Sequence, residues 1–294
     1  MIDQITASSL ANKQEIDAYT ILREYVQIRF LDVFFRTVKP KTFFFKGGTA
    51  LRLLYGSDRF SEDLDFTVPS QGIHPFDQAK QTVINLTSEI EDISIKPIKT
   101  IAGYSAKISL NGYSPNHPLT IKLDFSMRES ILMPQIAAIK TMLPVTGISL
   151  VDTISKEEIL AEKIRAIINR KKGRDLYDLW YLLHTGTPVT KTLIKKKLAL
   201  YHEQFHPDAL FDAIASWSEK DLYQDLAKFL PKSQRRIIPE LPRLTRDLFE
   251  FGKREGYVLA DIRSGARRRI PVNWQSFMIE LSANKEPYEQ PSLI

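Results

Sequence analysis

Apolar residues recur at helical spacing through much of the first 38 residues, and this pattern stops before Pro40. A period of three to four residues is that of one buried face of a helix, and proline cannot continue a helix. We therefore predict that the chain begins with a helix packed against a core.

The segment after Pro40 predicts a strand, a glycine turn and a helix in succession. Residues 43–45 are three phenylalanines, Gly47 and Gly48 are a turn signal, and residues 50–55 regain helical spacing. The first backbone N–H groups of such a helix are free to bind an anion. The turn Gly47-Gly48-Thr49 is therefore a candidate for holding phosphates.

Residues 59–68 follow a strand pattern, in which alternate side chains point to opposite faces. One face is apolar and the other polar: Leu64, Phe66 and Val68 against Asp63, Asp65 and Thr67. The two aspartates thus share a face, with Cα atoms about 6 to 7 Å apart. Carboxylates at this spacing favour a magnesium site, although a solvated strand face explains the pair as well.

Strand and helix patterns alternate up to about residue 150. They predict a helix followed by three strands, at residues 77–90, 94–100, 105–110 and 119–126. This alternation favours an α/β or α+β domain over residues 1–150. From Ser155, which forms a capping-box pattern with Glu158, helical patterns dominate and predict a helical domain over residues 151–294.

The composition limits the side chains that could bind a metal. The chain has no cysteine, and its five histidines show no paired spacing, so a metal would need oxygen or imidazole ligands. There is neither a signal-peptide pattern at the start nor a run of about 18 apolar residues, so we expect a cytoplasmic protein.

Asp124 is a third candidate acid, in a strand pattern with Lys122 and Ser126 on its own face. It could share the metals of Asp63 and Asp65, or take the proton from an attacking hydroxyl. A single aspartate on a strand face is equally consistent with a solvated residue.

Lys163 falls inside the apolar arc of its predicted helix, between Ile159 and Ile167. A lysine there either extends its ammonium to solvent or points it into a cleft, where it would meet a phosphate. Further along, Asp175 and Asp178 border the apolar stripe of the next helix.

Three interpretations of Asp175 and Asp178 stay open. They could orient Lys163 or Arg174, or bind the sugar or base of a nucleotide. The simplest is that they pair at the surface with the neighbouring basic residues, which are Arg170, Lys171 and Lys172.

The net charge is +6, and residues 151–294 carry five of the six excess positive charges. That part contains three basic clusters: Lys195-Lys196-Lys197, Arg235-Arg236 and Arg267-Arg268-Arg269. Each is explained by a solvated face. If they converge, they would form a track for the phosphates of a nucleic acid.

Together the motifs resemble those of the AbiEii-type nucleotidyltransferase toxins, which include the MenT toxins of mycobacteria. The segments are FFFKGGTALRLLYG, RFSEDLDF, IKLDF and LAEKIRAIINR with RDLYDL, over residues 40–183. The resemblance implies a polymerase-beta-like core with a mixed sheet and a helical C-terminal domain, which uses Mg²⁺ and a nucleoside triphosphate.

The resemblance also implies the toxin of a toxin–antitoxin or phage-defence system, with a cognate antitoxin encoded nearby. Its expected substrate is RNA, above all the tRNA 3′ acceptor end, whose extension blocks translation. The wider class leaves open a small molecule or a protein hydroxyl as acceptor, and a non-catalytic toxin that binds nucleotide or RNA.

The resemblance assigns roles to residues that match the family's motifs. Metal binding falls to Asp63 and Asp65, with Asp124 matching the third carboxylate of the wider superfamily; Glu62 would face away on a regular strand and is excluded. The catalytic set is Asp63, Asp65, Asp124 and Lys163. The nucleotide-binding set is Gly47, Gly48, Thr49, Lys163, Arg174, Asp175 and Asp178.

Overall fold

The computed structural model describes residues 1–69, 74–100, 103–111 and 118–254. In these ranges the strands are β1 Phe44–Lys46, β2 Asp63–Thr67, β3 Ile93–Ile98, β4 Tyr104–Leu110, β5 Leu119–Ser126, β6 Pro134–Ala138 and β7 Leu150–Ile154. The α-helices are α1 Gln4–Lys13, α2 Ala18–Thr37, α3 Gly47–Tyr55, α4 Pro75–Leu86, α5 Lys156–Asn169, α6 Gly173–His184, α7 Lys191–Ala199, α8 Pro207–Ala215, α9 Glu219–Leu226 and α10 Leu241–Arg254. Two 3₁₀ segments, Ala227–Phe229 and Lys232–Glu240, precede α10.

The strands form one mixed sheet in the order β3-β4-β5-β2-β1-β7-β6. Strand β2 is parallel to β5 and antiparallel to β1, and β1 is parallel to β7. The predicted α+β class with a mixed sheet is therefore confirmed. The sequence did not predict β6 and β7. Strand β6 lies at an edge of the sheet and has no buried side chain, so it shows no alternation of buried and exposed residues. Strand β7 also extends past residue 150, where we expected the first domain to end.

The prediction of a single N-terminal helix is wrong. The chain forms two helices, and Asp17 caps the second by accepting a hydrogen bond from the Thr20 N–H at 2.8 Å. Before it, Glu15 has a φ of 52°, in the left-handed region that interrupts helical geometry. A local N-cap thus overrides the apolar period of the segment.

The three consecutive phenylalanines serve two cores. Phe45 packs with α2 on one face of the sheet, whereas Phe44 packs with α5 and α6 on the other. Alternation along β1 places Lys46 on the side of Phe44. In β2, the buried Leu64 and Phe66 join the α2 core. The polar residues of β2 therefore face the helices that follow β7.

The helical part begins as the sequence indicates. Ser155 caps α5 by accepting a hydrogen bond from the Glu158 N–H at 3.2 Å. The Glu158 carboxylate does not complete a capping box; it accepts hydrogen bonds from the backbone N–H groups of Leu132 and Met133. Within the described chain, no helix is both long and apolar enough to cross a bilayer.

Phe66 lies at the centre of an aromatic cluster, so its truncation tests the sheet–α2 core. Its ring stacks on Phe125 with centroids 5.0 Å apart and contacts Phe34 at 5.3 Å. Because Phe66 is fully buried, Phe66→Ala should lower the free energy of unfolding by about 3–5 kcal/mol. Chemical denaturation measures the loss. Ile84→Ala, at a side chain 50% exposed, is the control and should change stability by less than about 0.5 kcal/mol.

Candidate active site

Three neighbouring strands place Lys46, Asp65 and Asp124 in one row across the sheet. Asp65 is the register partner of Lys46 on β1 and of Asp124 on β5. Directly opposed residues project to the same face. Asp63 lies two residues before Asp65 on that face, so the structure brings the three predicted acids together.

The acids repel one another. The pKa of Asp65 is raised to about 6, first by burial and then by the negative charges of Asp63 and Asp124; Lys46 and Lys163 oppose this shift. Burial likewise raises the pKa of Asp63. A cation placed among these carboxylates would offset both the burial of their charges and the repulsion between them.

Lys122 already brings a cation to this place. Its ammonium lies 2.5 Å from one Asp124 oxygen, and the Ser105 hydroxyl donates a hydrogen bond to the other. Burial lowers the pKa of Lys122, but Asp124 together with Asp63 and Asp65 raises it by more. The face is thus electrostatically suited to positive charge.

The donor set fits a divalent metal that is only partly held by protein. No group of three or more Asp, Glu, His or Cys side chains in the described ranges is placed to bind one ion. Mg²⁺ commonly takes one or two carboxylates and completes its shell with water and substrate phosphates. Asp63, Asp65 and Asp124 offer oxygen ligands of that kind.

The glycine pair starts α3 and forms no separate turn. Gly47 has a φ of 79°, and a Cβ there would overlap the Asp65 carboxylate. At Gly48 a Cβ would overlap the Arg59 guanidinium. Both positions therefore require glycine, because the backbone passes so close to functional side chains.

Thr49 is oriented inward. Its side chain is buried, and its hydroxyl donates a hydrogen bond to the backbone carbonyl of Asp63. It ties the first turn of α3 to the acid strand and is not directed to a ligand. A nucleotide contact through the Thr49 hydroxyl is not supported by this geometry.

Lys163 points into the protein and not to solvent. Its ammonium lies 2.9 Å from Asp175 and 2.7 Å from Asp178. Asp175 also accepts hydrogen bonds from Arg170, as the surface interpretation expected. That interpretation is nevertheless wrong for both acids, because Asp175 is 2% and Asp178 0% exposed. They orient Lys163.

Arg59 is a central residue that the sequence analysis missed. Its Nε and Nη2 donate to the two oxygens of Asp178 at 2.8 and 2.9 Å. Both side chains are essentially buried. The only sequence signal was an arginine next to the acid motif, which resembles an ordinary surface residue until the fold is known.

A second ionic network, also missed, lies on the other side of the cleft. Lys46 pairs with Glu129 and with Glu162, and the two glutamates are joined to α7 and the following turn. Tyr201 donates to Glu129 at 2.7 Å and Lys197 pairs with Glu162 at 2.8 Å. Lys197 is thus buried, contrary to a solvated basic cluster; residues 267–269 lie outside the described ranges.

Arg174 and Glu62 lie at the Asp63 end of the site. Glu62 precedes β2, and its carboxylate is 3.2 Å from Arg23 and 3.9 Å from Arg174. The positive charge of Arg174 acts to lower the pKa of Asp63. Glu62 is therefore engaged with cations of the helices, while Arg174 lies near the acid face.

A cleft of about 360 Å³ lies between the acid face and helices α5 and α6, and Tyr201, after the end of α7, also lines it. Among its lining residues are Gly47, Asp65, Asp124, Lys163 and Asp175 from the predicted set. Lys46, Arg128, Glu129 and Arg165 add charge to the same walls. Its size and its paired acidic and basic walls suit a phosphorylated ligand with a metal.

Residues 29–284 match the family of the nucleotidyl transferase AbiEii toxins of Type IV toxin–antitoxin systems. The match spans most of the chain, and the protein therefore belongs to this family. It is a nucleotidyltransferase, and its family implies a cognate antitoxin. The resemblance inferred from the four motifs is confirmed.

Solved structures share the fold. MenT4, a nucleotidyltransferase toxin from Mycobacterium tuberculosis H37Rv, is 18% identical over 87% of this chain and 94% of its own, with a TM-score of 0.56. JHP933 from Helicobacter pylori is 20% identical over 82% and 96%, with a TM-score of 0.52. At these identities the likeness concerns the fold alone. No curated protein sequence matches the chain.

The Arg59–Asp178 pair should contribute far more to the free energy of unfolding than a comparable surface pair. Arg59→Ala leaves the buried Asp178 short of a partner and should lower the free energy of unfolding by about 3–5 kcal/mol. The matched control is Arg243→Ala, since the exposed Arg243 pairs with the carboxylates of Glu240 and Asp247; its loss should cost less than about 1 kcal/mol. Equal losses by chemical denaturation would contradict the assignment.

The raised pKa of Asp65, about 6, predicts that ionisation of this side chain destabilises the metal-free protein as pH rises. The unfolded value is about 3.9, so ionised Asp65 reduces stability above pH 6, and this penalty disappears as pH falls through 6 towards 4. Asp65→Asn should therefore be more stable than wild type by about 1–2 kcal/mol at pH 7, with the gap closing near pH 4.

Denaturation in a chelator at several pH values measures this gap, with the exposed Asp208→Asn as control. Added Mg²⁺ should raise the melting temperature of wild type at pH 7 and leave that of Asp65→Asn nearly unchanged. A constant gap between pH 4 and 7 would refute the electrostatic account of Asp65.

Proposed function

We propose that the enzyme is Mg²⁺-dependent and transfers a nucleotidyl group from a nucleoside triphosphate to RNA. The expected acceptor is the 3′ end of tRNA, and its modification would block translation in the cytoplasm. The cognate antitoxin would restrain this activity until release, for example during phage infection. Membership of a toxin family supports this role.

One observation carries the proposal: β1, β2 and β5 place a helix N-terminus beside two directly opposed carboxylates. Gly47 contacts Asp65 closely enough to exclude a side chain, and Asp65 is the register partner of Asp124. A phosphate at the start of α3 would therefore lie next to the acids. This juxtaposition is what nucleotidyl transfer requires.

Asp63, Asp65 and Asp124 would hold the metal, with the remaining ligands from water and phosphate. When bound, Mg²⁺ neutralises the triphosphate and orients it for in-line attack. The electrostatic repulsion around Asp65 supports this assignment, because the protein maintains a carboxylate that is costly without a cation.

The triphosphate would lie against the backbone N–H groups of Gly47 and Gly48, where the N-terminus of α3 favours negative charge. Lys163 lines the cleft, and its positive charge acts to lower the pKa of Asp65. We assign it to the phosphates. Asp175 and Asp178 position Lys163, and Arg174 would contribute from the Asp63 end.

In the reaction, the oxygen of the acceptor hydroxyl bonds to the α-phosphorus. The bond from that phosphorus to the bridging oxygen breaks, and pyrophosphate leaves with the electron pair. Asp124 takes the hydroxyl proton. It is suited to this role because it is 36% exposed at the cleft, whereas Asp65 is more enclosed.

Asp65→Ala should abolish transfer while the protein still folds. We expect a loss of about 10²-fold or more in the transfer rate, because the phosphate charge is no longer neutralised. Purified protein, labelled nucleoside triphosphates and total RNA with Mg²⁺ provide the assay, and sequencing identifies the labelled RNA. Asp208→Ala, on the exposed start of α8, should leave the rate unchanged.

The outcomes separate the alternatives. If the label enters a small molecule or a protein and not RNA, the protein is still a nucleotidyltransferase, but RNA is not its acceptor. If expression of wild type and of Asp65→Ala inhibited growth equally, toxicity would come from binding and the catalytic proposal would be wrong.

A further inference from the structure

Three lysines form a row across the strands that lead away from the acids. Lys122 on β5 is the register partner of Lys107 on β4, and Lys107 is the register partner of Lys96 on β3. Asp63 on β2 is in turn the partner of Lys122. The lysine row, Lys122-Lys107-Lys96, therefore starts at the metal-binding face and crosses to the edge of the sheet.

Folding does not require this arrangement. Like charges directly opposite each other on neighbouring strands destabilise a sheet. All three lysines are exposed, and neither Lys96 nor Lys107 makes an ion pair with a residue in the described ranges. The alternation of the strands requires polar residues here, since Ile108 and Ile121 are buried on the other face, but serine or threonine would meet that need.

The lysine row lies on a defined side of the site. Across the sheet, the order is Gly47 at the end of β1, Asp65 on β2, Asp124 on β5, and then the lysines towards β3. If the phosphates occupy the Gly47 end, pyrophosphate leaves on that side. In-line transfer then brings the acceptor from the opposite side, over β5 and β4.

We propose that the lysine row binds the sugar–phosphate backbone of the acceptor RNA just behind its 3′ end. Strands about 4.8 Å apart space the three ammonium groups over on the order of 10 Å. Such a positive track, open to solvent and ending at the acids, suits a single-stranded polyanion. A small-molecule acceptor would need no such extension. This inference rests on RNA being the acceptor.

The test is the double variant Lys96→Gln/Lys107→Gln, which leaves Lys122 and the acids intact. We expect the KM for RNA to rise about tenfold near 0.15 M salt, because two phosphate contacts are lost. The slope of log affinity against log salt should fall by about 1.4, the value for two contacts on a single strand. The KM for the nucleoside triphosphate should not change.

Two further variants control for charge and for stability. Lys13→Gln/Lys80→Gln removes the same charge from exposed positions on α1 and α4, helices that pack on the other face of the sheet, and should leave RNA binding unchanged. Lys96→Arg/Lys107→Arg should retain RNA binding. The melting temperature of the glutamine variant of the lysine row should stay the same or rise, since a repulsion is removed, whereas a structural role would lower it.

The possible results distinguish the RNA-binding role of the lysine row from the proposed function. If wild type is active on RNA but Lys96→Gln/Lys107→Gln has unchanged RNA affinity and an unchanged salt slope, the lysine row does not bind RNA. The proposed function would then still stand. A change in the KM for the nucleoside triphosphate alone, or an equal effect of Lys13→Gln/Lys80→Gln, would also overturn the RNA-binding role of the lysine row. Absence of RNA labelling by wild type would overturn both this role and the proposed function.

Discussion

The buried ion pair between Arg59 and Asp178 is the interaction on which the site depends. It joins the loop before the acid strand β2 to helix α6, across the boundary between the sheet and the helical part. Two hydrogen bonds at 2.8 and 2.9 Å, one to each oxygen of the carboxylate, fix both distance and orientation. Gly48 supplies the space for the guanidinium. The same Asp178 holds Lys163, so one carboxylate sets the helix position and the cleft cation together.

At the site, two basic side chains have ion-pair partners within the part of the chain that the structure describes, whereas two acidic ones do not. Two cations of the cleft, Lys46 on β1 and Lys163 on α5, are each held by two carboxylates, which keeps their ammonium groups in place. On the sheet, Asp63 and Asp65 have no ion-pair partner in the described ranges, and their pKa values are raised. Lys46 and Lys163 are thus neutralised by other carboxylates, which leaves Asp63 and Asp65 for an external cation. We regard this asymmetry as the physical basis of the metal and phosphate site.

The sequence was informative where a side chain's neighbours follow from local period. Alternation along β2 and β5 placed Asp63, Asp65 and Asp124 on polar faces, and the glycine pair marked the start of α3, although as a turn and not as the first helical residues. Local signals failed for the N-terminal helices, where the Asp17 cap divides the segment, and for the short strands β6 and β7. They also failed for Arg59, Glu129 and Lys197, whose importance comes from partners 35 to 119 residues away.

The sequence by itself determined strands β1 to β5, the pairing of acids on a strand and the family of the chain, because strand period, glycine geometry and motif order are properties of neighbouring residues. Only the tertiary structure decided that β2 lies beside β5 in parallel register, so that Asp65 faces Asp124, and that Asp175 and Asp178 are buried supports of Lys163. Register and burial depend on contacts between distant segments, where the cost of an unpaired charge selects the partner. No local pattern encodes that choice.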